Sequence, residues 1–428
     1  MLLNFSVSNF ASFNETATFS LFPGKISKQH KKHVLDGKPF SALKGAAIYG
    51  ANASGKSNFV HALEALFWCV MSDSTAFVLS HQFKLAKKIF NTEFEIDFQI
   101  NGTAYRYKLV TNGIQIPFEQ LSILQKSGEI KPLFSRRLSE IELHGALSKS
   151  EDWYKNRTFQ SVTTFLFKLR QDGIIENAAK ISGAKYITDV LKFFEMLVIT
   201  SPNSLVNPVI FGMFFNQQEF QDFLRRLLRT ADVGISDIQW IKLSNNETEY
   251  FYKEALASGQ KQGYGTLFSK STEGDVVAIS ITPGGKKGLA LRTIHNDVRF
   301  KIGEESDGTK RLIDLALSFY LLRDSNTCLI IDELDCRLHP FLSKFLIQEH
   351  LENDKNKGQL IVTLHDLNLM TNEIWRTDEI WFTEKRQDGS SDLYSLYQFT
   401  PRFDKNLQKG YMQGKYGAIP MIGGFNNE

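Results

Sequence analysis

The chain has little cysteine: three residues in 428, Cys69, Cys328 and Cys336, in apolar or helical contexts without metal-ligand spacing. That excludes a disulfide framework and suits a reducing cytosol. No apolar run is long enough to span a bilayer, which argues against a membrane protein. The first residues alternate Leu3, Phe5 and Val7 against Asn4, Ser6 and Ser8, the pattern of a strand rather than a signal peptide. Charge of one sign is also missing. Lys and Arg total 50 and Asp and Glu 47, a formal net charge of +3, so contact with DNA would need a local basic surface. Internal repeats, low-complexity tracts and sustained heptads are absent, which excludes a solenoid and a long coiled coil. What is plentiful is phenylalanine, 35 residues, which reads first as core packing and second as base-stacking platforms. A hydrophobic share of 42% and a charged share of 23% are globular values, and the length allows two or three domains or one with a large insertion.

The run Gly50-Ala-Asn52-Ala53-Ser54-Gly55-Lys56-Ser57 fits G-x-x-x-x-G-K-[ST]. Ala46, Ala47, Ile48 and Tyr49 before it read as a buried strand. Phe59, Ala62, Leu63, Leu66, Phe67 and Val70 after it fall on one helical face. Strand, glycine-rich turn and helix are the setting in which backbone N–H groups close around phosphate and the helix dipole adds positive potential. Lys56 would reach the β- and γ-phosphates of a nucleotide, and Ser57 would hold Mg²⁺.

Three further elements carry chemistry. Cys328-Leu-Ile-Ile331-Asp332-Glu333 is an apolar strand ending in two acids. Asp332 would bind Mg²⁺, and Glu333 would polarise the attacking water as general base. Leu360-Ile-Val-Thr363-Leu364-His365 is another apolar strand, ending in a histidine that could reach the γ-phosphate or that water. Glu304-Glu305-Ser306-Asp307-Gly308-Thr309-Lys310 precedes a helical pattern; Ser306 and Gly308 could bind an anion or simply cap the helix. No Asn-Lys-x-Asp base-reading motif supports a GTPase, and no separate acidic cluster supports a self-contained nuclease.

Around these, Leu2 to Leu21 reads as two strands, and Phe94–Ile100, Asn101-Gly102 and Tyr105–Leu109 as a hairpin. From Ser148 to about Thr230 the pattern turns helical, with Tyr186, Val190, Phe193, Phe194 and Leu197 on one face and Phe220, Phe223, Leu224, Leu227 and Leu228 on another. Arg225, Arg226 and Arg229 read first as a solvated face and second as a partner or DNA contact. The basic stretch Lys25–Lys38 reads first as a solvated loop and second as a nucleic-acid contact. The glycine-rich tail from Gly410 to Phe425 reads as irregular. The expected layout is an N-terminal part (1–147), a helical insertion (148–232) and a C-terminal part (233–428).

The order P-loop, serine–glycine helix start, acidic strand end and strand-end histidine resembles the ATP-binding-cassette (ABC) ATPases, in the branch of Rad50, SMC and RecF. Within it the chain is similar to the AAA-15/AAA-21 ATPases, through Asn9-Phe10-Ala-Ser-Phe13, Asn52, Asn58, Glu305–Arg311, Asp332-Glu-Leu-Asp335, Leu338-His-Pro340 and Lys415-Tyr-Gly-Ala-Ile-Pro420. It also resembles the antiphage defence ATPases of the RloA/AbiLi and PARIS AriA types, which are encoded beside a nuclease or other toxic effector. The resemblance implies an α/β ABC-ATPase head: a mixed sheet with a P-loop core, an antiparallel β subdomain and here a compact helical insertion. It implies ATP and Mg²⁺ as cofactors, and a homodimer or higher homo-oligomer with ATP sandwiched between heads. Ser306 and Gly308 would contact the partner's γ-phosphate, Asp335 would lie across the dimer, and His365 would be the switch histidine. Gln99 and Gln120 are the two candidates for the Q-loop glutamine. The implied function is an ATPase of a bacterial antiphage system that controls an effector; the alternative is a RecF- or Rad50-like repair ATPase that binds DNA. A transporter subunit fits poorly with the long gap from Ser57 to Asp332.

Overall fold

Gly45–Tyr49 is a strand in which every residue is buried, as its run of small and apolar side chains requires. In this computed structural model of the chain, described for residues 1–25, 30–72, 75–86, 90–155, 162–202, 214, 217–257, 265–270, 275–324, 326–400 and 406–420, that strand sits inside a six-stranded sheet. The order is Leu197–Thr200, Cys328–Ile331, Gln359–Thr363, Gly45–Tyr49, Ile380–Lys385 and Ser391–Ser395. The first five strands run parallel, and only the last pairs antiparallel. Ile331 stands opposite Val362, and Thr363 opposite Ile48. The residues after Tyr49, Ile331 and Thr363 therefore emerge at one edge. In an open parallel sheet that carboxyl edge is where ligands bind.

A seven-stranded antiparallel sheet includes Leu2–Ser8 between Ala17–Ser20 and Thr92–Ile100. Its hairpin turns at Asn101-Gly102, with φ of 49° and 77°, the left-handed pair that a two-residue turn demands. One apolar core joins residues of both sheets to the helix Lys56–Met71, through Phe59, Leu63 and Leu66. Phe98 stacks on Phe193 with centroids 4.0 Å apart, both rings being buried. Each such burial contributes roughly 1.5–3 kcal/mol. For Phe5, Phe19, Phe59, Phe94, Phe98, Phe193 and Phe194 the core role is the one observed.

The chain divides into two compact units, one of Met1–Pro202, Leu322–Asp335 and Lys344–Glu428, the other of Asn203–Leu321 and Cys336–Ser343. Helices Phe165–Gln171 and Ala184–Glu195 place Leu166, Ile187, Val190 and Phe194 in the first unit's core. Buried Glu119 accepts from the N–H groups of Phe165 (2.7 Å) and Leu166 (3.3 Å), satisfying donors at the start of the first of these helices. The break in this part of the chain falls at Pro202, so the span read as one helical insertion contributes to both units.

Two local readings differ from the structure. Leu197 does not continue the helical face: it opens the strand Leu197–Thr200, because the branched Val198, Ile199 and Thr200 suit the edge of the parallel sheet. His33, read within a solvated loop, is fully buried against Glu379, a partner 346 positions away that a local charge count cannot see. Residues 26–29 of that stretch, 203–213 of the helical span and 421–425 of the tail lie outside the described residues, while Leu407–Met412 in the tail is helical.

The second unit has an antiparallel sheet in the order Asp237–Lys242, Gly285–His295, Val276–Thr282, Gly265–Lys270. The helix Gln218–Thr230 buries Phe220, Leu224, Leu227 and Leu228. Arg225 Nε donates to Asp237 Oδ1 at 2.6 Å, and Arg229 Nη2 to Ser236 O at 3.0 Å, so two of the three arginines hold this helix to the adjacent strand and its lead-in. Arg226 is exposed. No helix of the described residues is long and apolar enough to cross a membrane, and the three cysteines are free.

Candidate nucleotide-binding site

The loop after Gly45–Tyr49 turns back on itself through Ala53 (φ 60°) and Gly55 (φ 119°). A Cβ on Gly55 would stand 2.8 Å from Ser391 Oγ and 3.0 Å from Ser12 Oγ, and one on Gly50 would collide with Thr383 O. Both glycines are therefore required by crowding as well as by backbone angle. Ser54 Oγ bonds Thr383 Oγ1 at 2.6 Å, pinning the loop to the neighbouring strand. The helix Lys56–Met71 begins at once, so its first N–H groups point into the loop.

Lys56 is 5% exposed. Its Nζ donates to Gly50 O at 2.8 Å and Ala51 O at 3.2 Å, and phosphate oxygens would be stronger partners for it. Burial pulls its pKa below the ordinary lysine value, opposed by the carboxylates of Glu333, Asp332 and Asp335.

The next two strand ends bring the acids and the histidine. Asp332 is 4% exposed, and its Oδ1 accepts from Thr363 Oγ1 at 2.6 Å. The same hydroxyl accepts from Glu333 N at 2.7 Å. Glu333 has φ of 50°, an uncommon backbone state for a non-glycine residue and one that gathers at functional sites. Its Oε1 lies 3.5 Å from His365 Nε2. Asp335 Oδ2 accepts from the N–H groups of His365 (2.7 Å) and Asp366 (2.6 Å), which fixes the turn that carries the histidine.

These groups enclose a cleft of about 720 Å³, within the usual size of a small-ligand pocket. Asn52, Ala53, Gly55, Lys56, Ser57 and Asn58 line one part of it, and Glu333 and His365 another. Gly50, Ser54 and Asp332 are not lining residues, though they shape the loop and the strand end behind it. Two cleft residues were missed in the sequence, Ser12 and Lys385. Ser12 lies inside the Asn9–Phe13 motif and accepts from Asn58 Nδ2 at 2.8 Å. Lys385 ends the strand Ile380–Lys385, and no local signal marked it.

The other candidates fall elsewhere. Ser306 and Gly308 belong to the second unit and do not line this cleft. Ser306 Oγ accepts from Thr309 N at 3.1 Å at the start of the helix Asp307–Asp324, a capping bond, and Gly308 is packed so that a Cβ would meet Arg337 O at 2.8 Å. Neither glutamine lines the cleft. The Gln99 amide is closed on both the N–H and the C=O of Phe40, and Gln120 Nε2 donates to Ser135 Oγ. Strand alternation places a glutamine on a sheet without saying which edge it serves.

A cradle of main-chain donors, an almost buried lysine and a paired Asp–Glu at the adjoining strand end suit a nucleoside triphosphate with a divalent cation. Comparison with known families decides the class. Residues 46–371 match the family model AAA_21, described as "AAA domain, putative AbiEii toxin, Type IV TA system".

The chain belongs to the AAA_21 family.

ATP with Mg²⁺ is what ATPases of this kind bind, and the AAA_21 match spans the P-loop, both acids and His365. The solved SMC head domain from Thermotoga maritima is similar at 15% identity, with 92% of this chain and 98% of that one covered and a TM-score of 0.38. An SMC head bound to the C-terminal winged-helix domain of ScpA is similar at 15% identity, covering 92% and 97%, with a TM-score of 0.46. No curated protein matches.

Proposed function

We propose that this AAA_21 protein binds and hydrolyses ATP. The observation that carries the reading is the convergence of Lys56, Ser57, Asp332, Glu333 and His365 at the carboxyl edge of one parallel sheet. The P-loop N–H groups and Lys56 would hold the β- and γ-phosphates. Ser57 and Asp332 would hold Mg²⁺, which screens phosphate charge and orients the γ-phosphate. Glu333 would take a proton from the attacking water, with His365 positioned beside it. Replacing Lys56 by Ala should abolish ATP binding in a titration of the purified protein; unchanged affinity would refute the P-loop assignment.

We further propose that two heads close around ATP in a homodimer, with Ser306 and Gly308 of one chain facing the nucleotide of the other. ATP can drive such closure only if it binds the closed state more tightly, which contacts from a second chain would supply. We also propose, from the resemblance of its motifs to antiphage defence ATPases, a cytoplasmic ATPase of a bacterial defence system that controls a partner effector, a nuclease by our reading. The family's description, "putative AbiEii toxin, Type IV TA system", links its members to toxin–antitoxin systems. A nuclease-like reading frame next to the gene, and co-purification of the pair, would support that role. A replication or repair neighbour would favour a DNA-repair ATPase instead.

A further inference from the structure

A second cluster of chemistry-bearing side chains lies at the amino edge of the parallel sheet, away from the cleft. His33 sits against the residue that leads into the P-loop strand, with Lys44 N donating to His33 O at 2.7 Å. Glu352 ends the helix Pro340–Glu352, and Glu379 immediately precedes the strand Ile380–Lys385. His33 Nε2 is 3.1 Å from Glu352 Oε1, and His30 Nδ1 is 3.3 Å from the same oxygen. All three atoms lie within 4.8 Å of one another.

The outer nitrogens decide what the inner ones are. His30 Nε2 is 2.7 Å from Asn372 O, a carbonyl that can only accept, so Nε2 carries the hydrogen. In the neutral ring Nδ1 is then a bare lone pair. His33 Nδ1 is 2.9 Å from the fully buried Glu379 carboxylate; where Nδ1 donates to that carboxylate, the neutral ring keeps a lone pair on Nε2. Two imidazole lone pairs and a carboxylate oxygen thus lie within 4.8 Å of one another. Three acceptors repel unless a cation lies between them. Closing both contacts with protons would take two added protons, and placing both on the rings would set two imidazolium cations 4.4 Å apart. One divalent ion satisfies all three atoms together. The 3.1 and 3.3 Å separations are close to the edge of a tetrahedron with bonds of about 2.0–2.1 Å. A second ring nitrogen tied to a carboxylate or carbonyl is also the usual arrangement of a metal-binding histidine. The nearby ammonium groups are engaged elsewhere: Lys44 Nζ donates to Leu351 O and Asn353 O, and Lys32 Nζ to Glu352 O.

We propose that His30, His33 and Glu352 bind a divalent transition metal, Zn²⁺ by ligand type, which staples the segment before the P-loop strand to the end of the helix Pro340–Glu352. Two nitrogens and one oxygen are a borderline set suited to Zn²⁺, whereas Mg²⁺ prefers oxygen ligands, so this site is distinct from the nucleotide's cation. Glu352 is 48% exposed, so a fourth position open to solvent can take water.

The test uses the full chain, stripped with a chelator and titrated with Co²⁺ as a spectroscopic probe. One equivalent should give the visible bands of tetrahedral cobalt, displaced by Zn²⁺ but not by excess Mg²⁺. His30→Ala and Glu352→Gln, at partly exposed positions and checked for folding by thermal melt, should weaken binding by more than the roughly 10–100-fold that a lost outer partner costs. Glu379→Gln should weaken it within that range, and Lys56→Ala should leave it unchanged. A folded wild-type chain that takes up no Co²⁺ or Zn²⁺ at one equivalent, or His30→Ala and Glu352→Gln variants that bind as wild type, would overturn the site.

Discussion

Thr363 holds both acids of the cleft with one hydroxyl, donating to Asp332 and accepting from the Glu333 backbone. Without it a nearly buried carboxylate oxygen loses its donor, and the left-handed turn at Glu333 loses its tether. Thr363→Val, which keeps shape and removes the hydroxyl, should lower stability by about 1–3 kcal/mol and reduce ATP turnover, while Thr363→Ser should restore most of both. Urea unfolding and a phosphate-release assay measure the two effects; an unchanged Val variant would show that the acids need no such support. Spacing made Lys56, Ser57, Asp332 and Glu333 legible in the sequence, because a P-loop fixes its residues relative to one another and an apolar strand ends where its polar residues begin. Thr363, Ser12 and Lys385 were not legible as site residues. Thr363 and Ser12 are single polar side chains whose partners lie far along the chain, and Lys385 is a lysine at a strand end, so only the assembled sheet shows what each serves.

The parallel strands were readable because both their faces are covered, which makes them continuously apolar. The edge strand Leu197–Thr200 was not, since a short apolar run after a helix fits either period. Cys328 tests how firmly this sheet is closed. It opens the strand leading to Asp332, it is 1% exposed, and burial pushes its thiol up to about 12. At pH 8 that thiol stays protonated, so alkylation should be negligible in the native state. Iodoacetamide at pH 8 should modify half-buried Cys336 first and reach Cys328 only when the protein is unfolded by urea. Mass spectrometry of the peptides reads the order. Equal rates at Cys328 and Cys336 in the native protein would mean that the strand opens readily.

The chain as a whole carries its P-loop and its acids in one compact unit and its Ser306–Gly308 helix start in another. A complete site that draws on both would be assembled between two chains in the reading offered above, so ATP and association should be linked. Motif order pointed to this in the sequence. The division at Pro202 did not show there, because helical periodicity reports which face is buried and not which unit buries it. The most direct test of the account is single-turnover hydrolysis of labelled ATP by the Glu333→Gln protein, with the mass of the nucleotide-bound species taken by light scattering. A general base contributes about 10²–10⁴-fold, so the variant should hold ATP without cleaving it and run at twice the 48.8 kDa chain mass. Hydrolysis by Glu333→Gln at the wild-type rate would contradict Glu333 as the general base of this cleft, on which the account rests.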